Sequence, residues 1–322
     1  LSSTSGATIT GFSNSGSQKY NSGSITEIVI PSTYNGVNVT KIGSNAFAGY
    51  TKVTKVVIPD NVTVISNGAF SGDTGITDLT LPINLNPNST NNDAFKGCTA
   101  ITRFNFTKGA GETQGVGINY DANSVQNTPW YISRNNQLEL DFENGIENIG
   151  DYMFYNCTGV KNMAFAETLK KFGNYSFYNC KNLVGDFTIF GNIEEIGNSA
   201  FYCCFELNSV VIPEGVTSIG NQAFGWCGPY KTYGAYYSCR NFKEVTLPST
   251  LTTIGSSAFV CCHALQSINI PKNITEIKDS TFRNCYELSS IIIPAGIKKI
   301  ENGVFFDNRS LKTVTFSWNA PE

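Results

Sequence analysis

The stretch IPEGVTSIGNQAFGWC, residues 212–227, carries the pattern that decides the fold. Its phenylalanine, Phe224, returns with similar neighbours along most of the chain, usually after 23 residues. The marker positions are Phe47, Phe70, Phe95, Phe154, Phe177, Phe201, Phe224, Phe259, Phe282 and Phe305. A fixed period of about 20 to 50 residues is typical of solenoids, in which each copy packs against its neighbours. The sequence therefore predicts a stack of similar coils.

Each copy combines a strand, a bend and a turn. Residues 210–212 are β-branched, which suits a half-buried strand, and Pro213 ends its pairing. Gly220 then permits a tight bend, and residues 221–224 leave room for one or two helical turns. We expect an α/β fold with one long parallel β-sheet, short helical turns on the opposite side, and about eleven coils of ~23 residues.

The repeated string I-P-x-x-[VI]-T-x-I-G-x-x-A-F-x-x-C resembles the repeat of BspA-type leucine-rich-repeat proteins of bacterial surfaces. It is almost complete at residues 58–70 and 212–227, and the resemblance covers about residues 25–317. Residues 84–90, which lack the Ile-Gly bend, and residues 107–144 depart from it. The resemblance implies a right-handed leucine-rich-repeat solenoid, secreted or displayed on a bacterial cell surface.

The ends suggest a simple domain organisation. Residues 1–24 are rich in Ser, Thr and Gly, lack the features of a signal peptide, and include an apolar stretch at residues 7–12 that suits an edge strand. We predict an N-terminal cap at residues 1–24 and a repeat domain at residues 25–322, with insertions near 108–136 and 228–239. We also expect that the natural protein continues past Glu322.

Composition argues against two classes of partner. Charged residues make up 15% of the chain, the formal net charge is −3, and no run of Lys and Arg occurs, which disfavours nucleic acid. No stretch of 18 apolar residues is present, so no membrane span is predicted. We expect a monomer.

Seven of the ten cysteines lie three residues after a marker phenylalanine: Cys98, Cys157, Cys180, Cys204, Cys227, Cys262 and Cys285. A column of buried thiols, which behave as small hydrophobic groups, explains this spacing, although neighbouring coils would also lie within disulfide range. Cys239 lies outside the column. Together with Cys227 it brackets an insertion, so a Cys227–Cys239 disulfide is a further expectation.

That insertion separates Phe224 from Phe259 by 35 residues and is rich in tyrosine. Insertions in a repeat map to loops, where binding residues concentrate. The candidate partner-binding residues are Trp226, Tyr230, Tyr233, Tyr236 and Tyr237. The alternative is that these rings only cover a neighbouring coil.

The 59-residue step between Phe95 and Phe154 indicates a hidden, degenerate copy. Residues 121–125 could replace its turn, with Tyr120 in the isoleucine position, and Trp130 is expected to be a packing plug. Residues 127–131, NTPWY, resemble a variant that BspA-type proteins carry after the turn.

Catalytic signatures are weak. His263 is the only histidine, follows Cys261-Cys262, and lacks the paired spacing of a zinc site; a surface position is expected. Residues 109–115 are glycine-rich but lack the Lys-Ser/Thr of a phosphate-binding loop. On the outward strand face, Glu27 and Asp78 are separated by Lys55, and no acid pair for glycoside hydrolysis is visible. We predict no enzyme activity and no cofactor.

The outward strand face is mildly apolar and rich in Ser and Thr, which suits binding through many weak contacts. By resemblance, the function would be adhesion to host extracellular-matrix proteins or to other cells. The alternative is glycan recognition, or a spacer arm, within a larger surface protein that handles polysaccharides. An idle scaffold face is the plain alternative for this surface.

Overall fold

The computed structural model describes residues 6–13, 20, 22–85, 93–111, 113, 115–189, 192–227 and 241–317. By their contacts these fall into two compact units, one of residues 1–148 with 162–166, the other of residues 149–161 with 167–322. The chain folds as a parallel β-solenoid of about eleven turns with very little helix.

The first unit contains the strands up to β10 and most of β11. They are β1 Ala7–Ile9, β2 Glu27–Val29, β3 Thr33–Tyr34, β4 Val37–Ile42, β5 Lys55–Val57, β6 Val64–Ile65, β7 Asp78–Pro82, β8 Arg103–Thr107, β9 Leu138–Phe142, β10 Asn148–Ile149 and β11 Val160–Ala164. The longer strands pair in parallel in the order β11-β9-β8-β7-β5-β2, with the buried residues in register, as in the row Val56, Leu79, Phe104 and Leu140.

The second unit repeats the same arrangement. Its strands are β12 Lys171–Phe172, β13 Gly185–Thr188, β14 Glu195–Ile196, β15 Leu207–Val211, β16 Ser218–Ile219, β17 Glu244–Thr246, β18 Thr253–Ile254, β19 Ser267–Ile268, β20 Glu276–Ile277, β21 Ser290–Ile293, β22 Lys299–Ile300 and β23 Thr313–Phe316. The longer strands pair as β13-β15-β17-β19 and β21-β23, and a bridge from Asn269 to Ile292 joins these two groups.

A second ladder runs along the isoleucine that precedes the repeat glycine. The two-residue strands β12, β14, β16 and β18 pair in parallel, as do β20 and β22. Sequence reasoning expected only a bend there, so this ladder is an addition to the predicted architecture. It adds a second line of hydrogen bonds between neighbouring coils.

The segment around the marker phenylalanines forms a hydrogen-bonded turn rather than a helix. In the coil of Phe201, Ser199 and Cys203 adopt φ of 52° and 61°, left-handed values that interrupt a helix. The N–H of Phe201 donates instead to the carbonyl of Ala223 in the next coil, at 2.8 Å. The phenylalanine rings also stack from one coil to the next; the ring centroids of Phe201 and Phe224, for example, lie 5.5 Å apart. The turns thus form a third line of contacts between coils.

The predicted hidden coil is present in the first unit. Its turn contains a 3-10 helix, Ser124–Asn127, and the short helix α1, Pro129–Ile132, with Thr128 as N-cap. Val125 is buried, and Trp130 is fully buried with its ring edge-on to Phe106 at 5.5 Å. Trp130 is therefore a packing plug, as predicted.

Two features lie at the start of the first unit. Strand β1 pairs in parallel with β4, and the ring of Phe12 stacks on that of Tyr20 with centroids 4.1 Å apart. The domain boundary at residue 24 stays a prediction. Strands β3 and β4 form an antiparallel hairpin whose turn residues, Asn35 and Gly36, have φ of 50° and 77°. An Asn-Gly pair between short strands is a strong hairpin signal that sequence reasoning missed.

The seven cysteines of the predicted column are fully buried, and six of them donate to the carbonyl of the marker phenylalanine in the preceding coil. The Sγ of Cys227, for example, lies 3.2 Å from the carbonyl oxygen of Phe201 in the preceding coil. Equivalent contacts of 3.1 to 3.4 Å join Cys98 to Phe70, Cys180 to Phe154, Cys204 to Phe177, Cys262 to Phe224 and Cys285 to Phe259. Burial raises the pKa of Cys98 to about 12, so this thiol is a poor nucleophile.

Asp73 occupies the cysteine position of its coil and is fully buried. One carboxylate oxygen, Oδ1, accepts the N–H of Tyr50 at 2.7 Å, while Oδ2 has no hydrogen-bond partner among the described residues. Burial raises the pKa of Asp73 to about 7, although the N–H groups of Tyr50 and Gly49 oppose that shift.

The repeat glycine is required by close approach between coils rather than by its backbone angles. A Cβ on Gly255 would lie 2.4 Å from the nitrogen of Asn221 in the preceding coil, and a Cβ on Gly220 would lie 2.5 Å from that of Asn198. Neither glycine adopts a positive φ. The coils therefore stack more closely at this edge than a side chain allows.

We predict that Gly255→Ala lowers the free energy of unfolding by ~1–3 kcal/mol, because the new methyl group pushes against backbone atoms. Ser66→Ala is the matched control, since Ser66 follows the isoleucine of its coil and already carries a Cβ. Chemical denaturation of the three proteins measures the difference. An equal loss in both variants would contradict the close-approach explanation.

We also predict a pH dependence that originates at Asp73. Its pKa is higher in the folded state than the ordinary value of 3.8, so the contribution to stability is complete below about pH 4 and is lost as the pH rises to about 7. The free energy of unfolding should fall by roughly 3–4 kcal/mol at most over this range. Denaturant titrations at five pH values should show a flatter profile for Asp73→Asn; identical slopes would refute the assignment.

Candidate functional site

The outward face of the sheet in the first unit is charged and internally paired. The Nζ of Lys55 lies 2.9 Å from an oxygen of Glu27, and the Nδ2 of Asn105 lies 2.8 Å from the Oδ1 of Asp78. Arg103 pairs with Glu139 at 2.5 Å. Exposed pairs of this kind add little to stability, so their main effect is to neutralise the face.

Sequence reasoning missed the carboxylates of β9. Glu139 and Asp141 both point outward from the strand Leu138–Phe142, whose buried and half-buried residues alternate. The alternation in LELDF could have revealed this strand, but it lies in the degenerate coil, away from a marker phenylalanine. The neighbouring strand β8 places Arg103 and Asn105 opposite these two acids.

The outward face of the second unit consists of small polar and aliphatic side chains. Register places Ser209 beside Glu244 and Glu244 beside Ser267, and, one row along, Val211 beside Thr246. Ile292 is 52% exposed and continues this row beside Thr315. No turn or loop that the structure describes in this unit covers this face.

Two connected grooves lie on this face. The first, of about 430 Å³, is lined by residues of β17, β19 and β21, among them Glu244, Asn269 and Ile292. The second, of about 770 Å³, shares Asn269 and Ile292 and continues to Lys272 and Ser317. Neither lining contains an aromatic ring.

Each groove has one carboxylate in its lining, and the carboxylate of the second groove, Glu214, accepts hydrogen bonds from neighbouring residues. Glu214 accepts the N–H of Ser249 at 2.9 Å and its hydroxyl at 3.0 Å. These bonds, together with those from Thr250, hold the pKa of Glu214 below its usual value. A carboxylate so stabilised is a poor general acid, and the glycosidase mechanism needs two acids. No group of three or more His, Cys, Asp or Glu side chains that could hold a metal occurs in the described ranges.

His263 is buried, contrary to the expected surface position. Its ring stacks on Tyr286 at 4.2 Å, and Trp226 lies edge-on at 6.4 Å. The pKa of His263 is lowered to about 4, mainly because the ring is buried and also because Arg309 is positively charged. The negative charge of Asp307 opposes this shift. The expectation was wrong because aromatic residues of neighbouring coils cover this position.

The predicted tyrosine loop falls mostly outside the described residues. Tyr230, Tyr233, Tyr236, Tyr237 and Cys239 lie in the range 228–240, for which the structure gives no account. Trp226 is described and is half-buried, with φ of 53°. The partner-binding role of these residues and the Cys227–Cys239 disulfide stay predictions.

A second tyrosine cluster was not anticipated. The tyrosine ladder is defined as the five half-buried residues on the turns of three coils: Tyr152, Tyr155, Tyr175, Tyr178 and Tyr202. Tyr152 stacks on Tyr175 at 4.6 Å, and Tyr155 stacks on Tyr178 at 5.0 Å. Tyr178 in turn stacks on Tyr202 at 5.1 Å. Aligning the copies on Phe154, Phe177 and Phe201 would have shown these rings in register.

The model of the BspA-type leucine-rich repeat region matches residues 15–117, 131–233 and 230–321. These ranges cover most of the chain. The chain belongs to the BspA-type leucine-rich repeat family. The resemblance read from the sequence is therefore confirmed.

Solved structures of leucine-rich repeat proteins are similar to this BspA-type chain. A leucine-rich cell surface protein from Faecalibacterium prausnitzii is 21% identical, with 99% of this chain and 92% of that chain covered and a TM-score of 0.41. A leucine-rich repeat protein from Bacteroides ovatus is 22% identical, with 91% and 92% covered and a TM-score of 0.44. The pneumococcal vaccine antigen PcpA is 15% identical, with 98% and 82% covered and a TM-score of 0.36.

A search of curated proteins returned no match. Within the described ranges of this BspA-type chain, no helix is both long and apolar enough to cross a membrane.

A thiol count tests the predicted disulfide. Titration under denaturing, non-reducing conditions should find eight free thiols of the ten cysteines if Cys227 and Cys239 are bridged. Cys239→Ser should then release one additional thiol, whereas Cys203→Ser, the control, should lower the count by one. Ten free thiols in the unchanged protein would exclude the bridge.

Proposed function

We propose that this chain is a non-catalytic binding module that is exposed on a bacterial cell surface and adheres to a protein, such as a host extracellular-matrix protein or a protein of another cell. The observation that carries the proposal is the outward sheet face of the second unit. Its two grooves are open, lined by small side chains, and held on paired strands.

The chemistry of these grooves favours a polypeptide partner. Thr246, Ser267 and Asn269 offer hydrogen bonds, while Ile292 offers an exposed apolar contact beside Asn269. Interfaces of standard size combine such apolar and polar contacts over about 1,200–2,000 Å² in total. Strand pairing holds these residues in place, so binding costs little ordering of the protein.

Family membership supports the location. BspA-type repeats occur in proteins of bacterial surfaces, and a surface location suits a module that presents an extended binding face. The paired charges of the first unit and the engaged Glu214 support a binding role over catalysis.

The second candidate is glycan recognition, or a spacer arm, in a larger protein that handles polysaccharides. The hydroxyl and amide groups of Ser267 and Asn269 favour it. The absence of an aromatic ring from the lining of both grooves disfavours it, because sugars stack on aromatic faces. A protein partner therefore has the better support.

We predict that Ile292→Arg weakens binding about tenfold or more, because it places a charge where the two grooves meet. The test presents the chain to an array of purified extracellular-matrix proteins and to a glycan array. Val29→Arg is the matched control, since Val29 is also exposed, at 61% against 52% for Ile292, and occupies the same repeat position in the first unit. Binding to glycans alone would favour the second candidate, and protein binding that survives Ile292→Arg would contradict the proposed face.

A deletion of residues 228–238 on the same arrays tests the tyrosine loop. Loss of protein binding would support a role for Tyr230, Tyr233, Tyr236 and Tyr237, which the deletion removes. Unchanged binding would show that the loop is not part of the contact.

A further inference from the structure

The hairpin of β3 and β4 lengthens one coil of the repeat and projects an Asn-Gly pair. Residues 31–42 span the segment from the repeat proline to the second ladder, which residues 59–65 span in the next coil. Residues 31–38 are all exposed, and the hairpin ladder consists of two residue pairs, Thr33 with Asn38 and Tyr34 with Val37. A ladder this short, with little burial, opens at low cost in free energy.

In an Asn-Gly pair the main chain can attack the asparagine side chain. The glycine nitrogen forms a bond to Cγ of the asparagine, the bond from Cγ to Nδ2 breaks, and Nδ2 leaves as ammonia with the proton of the attacking nitrogen. Water then opens the resulting five-membered succinimide ring at either of its carbonyl groups and gives aspartate or isoaspartate. Glycine favours the first step because it has no Cβ to hinder the approach.

The peptide group between Asn35 and Gly36 is free to make this attack. Asn35 is exposed, and its side chain makes no hydrogen bond to any residue that the structure describes. The carbonyl of Asn35 and the N–H of Gly36 make none within the described ranges either. A Cβ added to Gly36 would meet no atom within 4 Å. Rotation about the Cα–C bond of Asn35, which brings the glycine nitrogen to Cγ, therefore breaks no described contact of this peptide group.

The chain has three other Asn-Gly pairs, at residues 67–68, 144–145 and 302–303. Two of these are tied to neighbouring coils. The carbonyl of Asn67 accepts the N–H of Asn45 at 3.2 Å, and its Oδ1 accepts the N–H of Asp93 at 3.0 Å. The carbonyl of Asn302 accepts the N–H of Ser280 at 3.0 Å. Rotation of either peptide group breaks a bond between coils, so both pairs are protected in the folded chain.

We propose that Asn35 is a site of spontaneous covalent modification, at which deamidation through a succinimide gives aspartate and isoaspartate in the folded protein. The proposal is independent of the binding function. Aspartate keeps the turn, since Asp-Gly is as typical of such turns as Asn-Gly. Isoaspartate adds a methylene group to the main chain at the tip and so shifts Tyr34 relative to Val37. Either product places a negative charge beside the exposed ring of Tyr34.

The test follows the full chain during incubation in warm, mildly alkaline buffer, with peptide mapping by mass spectrometry at Asn35, Asn67 and Asn302. In the folded protein we expect Asn35 to deamidate about tenfold or more faster than the other two, because their peptide groups are held between coils. In denaturant the three rates should become similar, since the reacting pair is the same. The product at Asn35 should contain isoaspartate, which only opening of the ring supplies.

Asn35→Gln is the control variant, because the longer side chain must close a larger ring. It should keep its amide under conditions that convert Asn35. Folded-state rates at Asn35 within twofold of those at Asn67 and Asn302 would overturn the proposal. A product that is aspartate alone would also overturn it, since direct hydrolysis of the side chain would then be the reaction.

Discussion

Coil-to-coil hydrogen bonding is the constraint on which the rest of this structure depends. In the second unit, neighbouring coils are joined at the longer strands, as β15 to β17, at the two-residue strands, as β14 to β16, and at the turn, where the N–H of Phe224 donates to the carbonyl of Ala258 at 2.9 Å. Three ladders fix both the spacing and the rotation between coils. A side chain at a given repeat position therefore always meets the same position one coil away.

This constraint explains why columns, rather than single residues, are the units of packing. The phenylalanines stack because their turns are paired, and the cysteines donate to the phenylalanine carbonyl one coil back for the same reason. The glycine column has the opposite cause, since the backbones approach so closely at Gly255 that a Cβ has no room. A polar substitution in a column has correspondingly local effects: Asp73 replaces one thiol, and its second oxygen is left without a partner among the described residues.

Much of the fold could be predicted because the repeat supplies many copies of each signal. The longer strands followed from their β-branched composition and the buried cysteines from their spacing, and Trp130 was predicted to be a packing plug. The turn at Phe201 could not, because two left-handed residues, Ser199 and Cys203, are not typical of that conformation by residue type. The buried position of His263 depends on Tyr286, one coil away, so it required the stacking geometry. Glu139 and the tyrosine ladder were readable in principle, but only after the copies were aligned position by position.

The same constraint shapes what the surface can do. Because outward residues are held in rows one coil apart, each unit has an outward face of one chemical character: paired charges near Arg103 in the first unit and small polar groups near Asn269 in the second. Rows of large aromatic residues must stack, and so they cover one another's faces and expose their edges. A repeat of this kind is therefore better suited to extended contacts than to a single deep site. Catalysis would require two acids at a chosen separation, and the repeat favours pairing an acid with a neighbouring base or amide, as at Glu139 and Asp78.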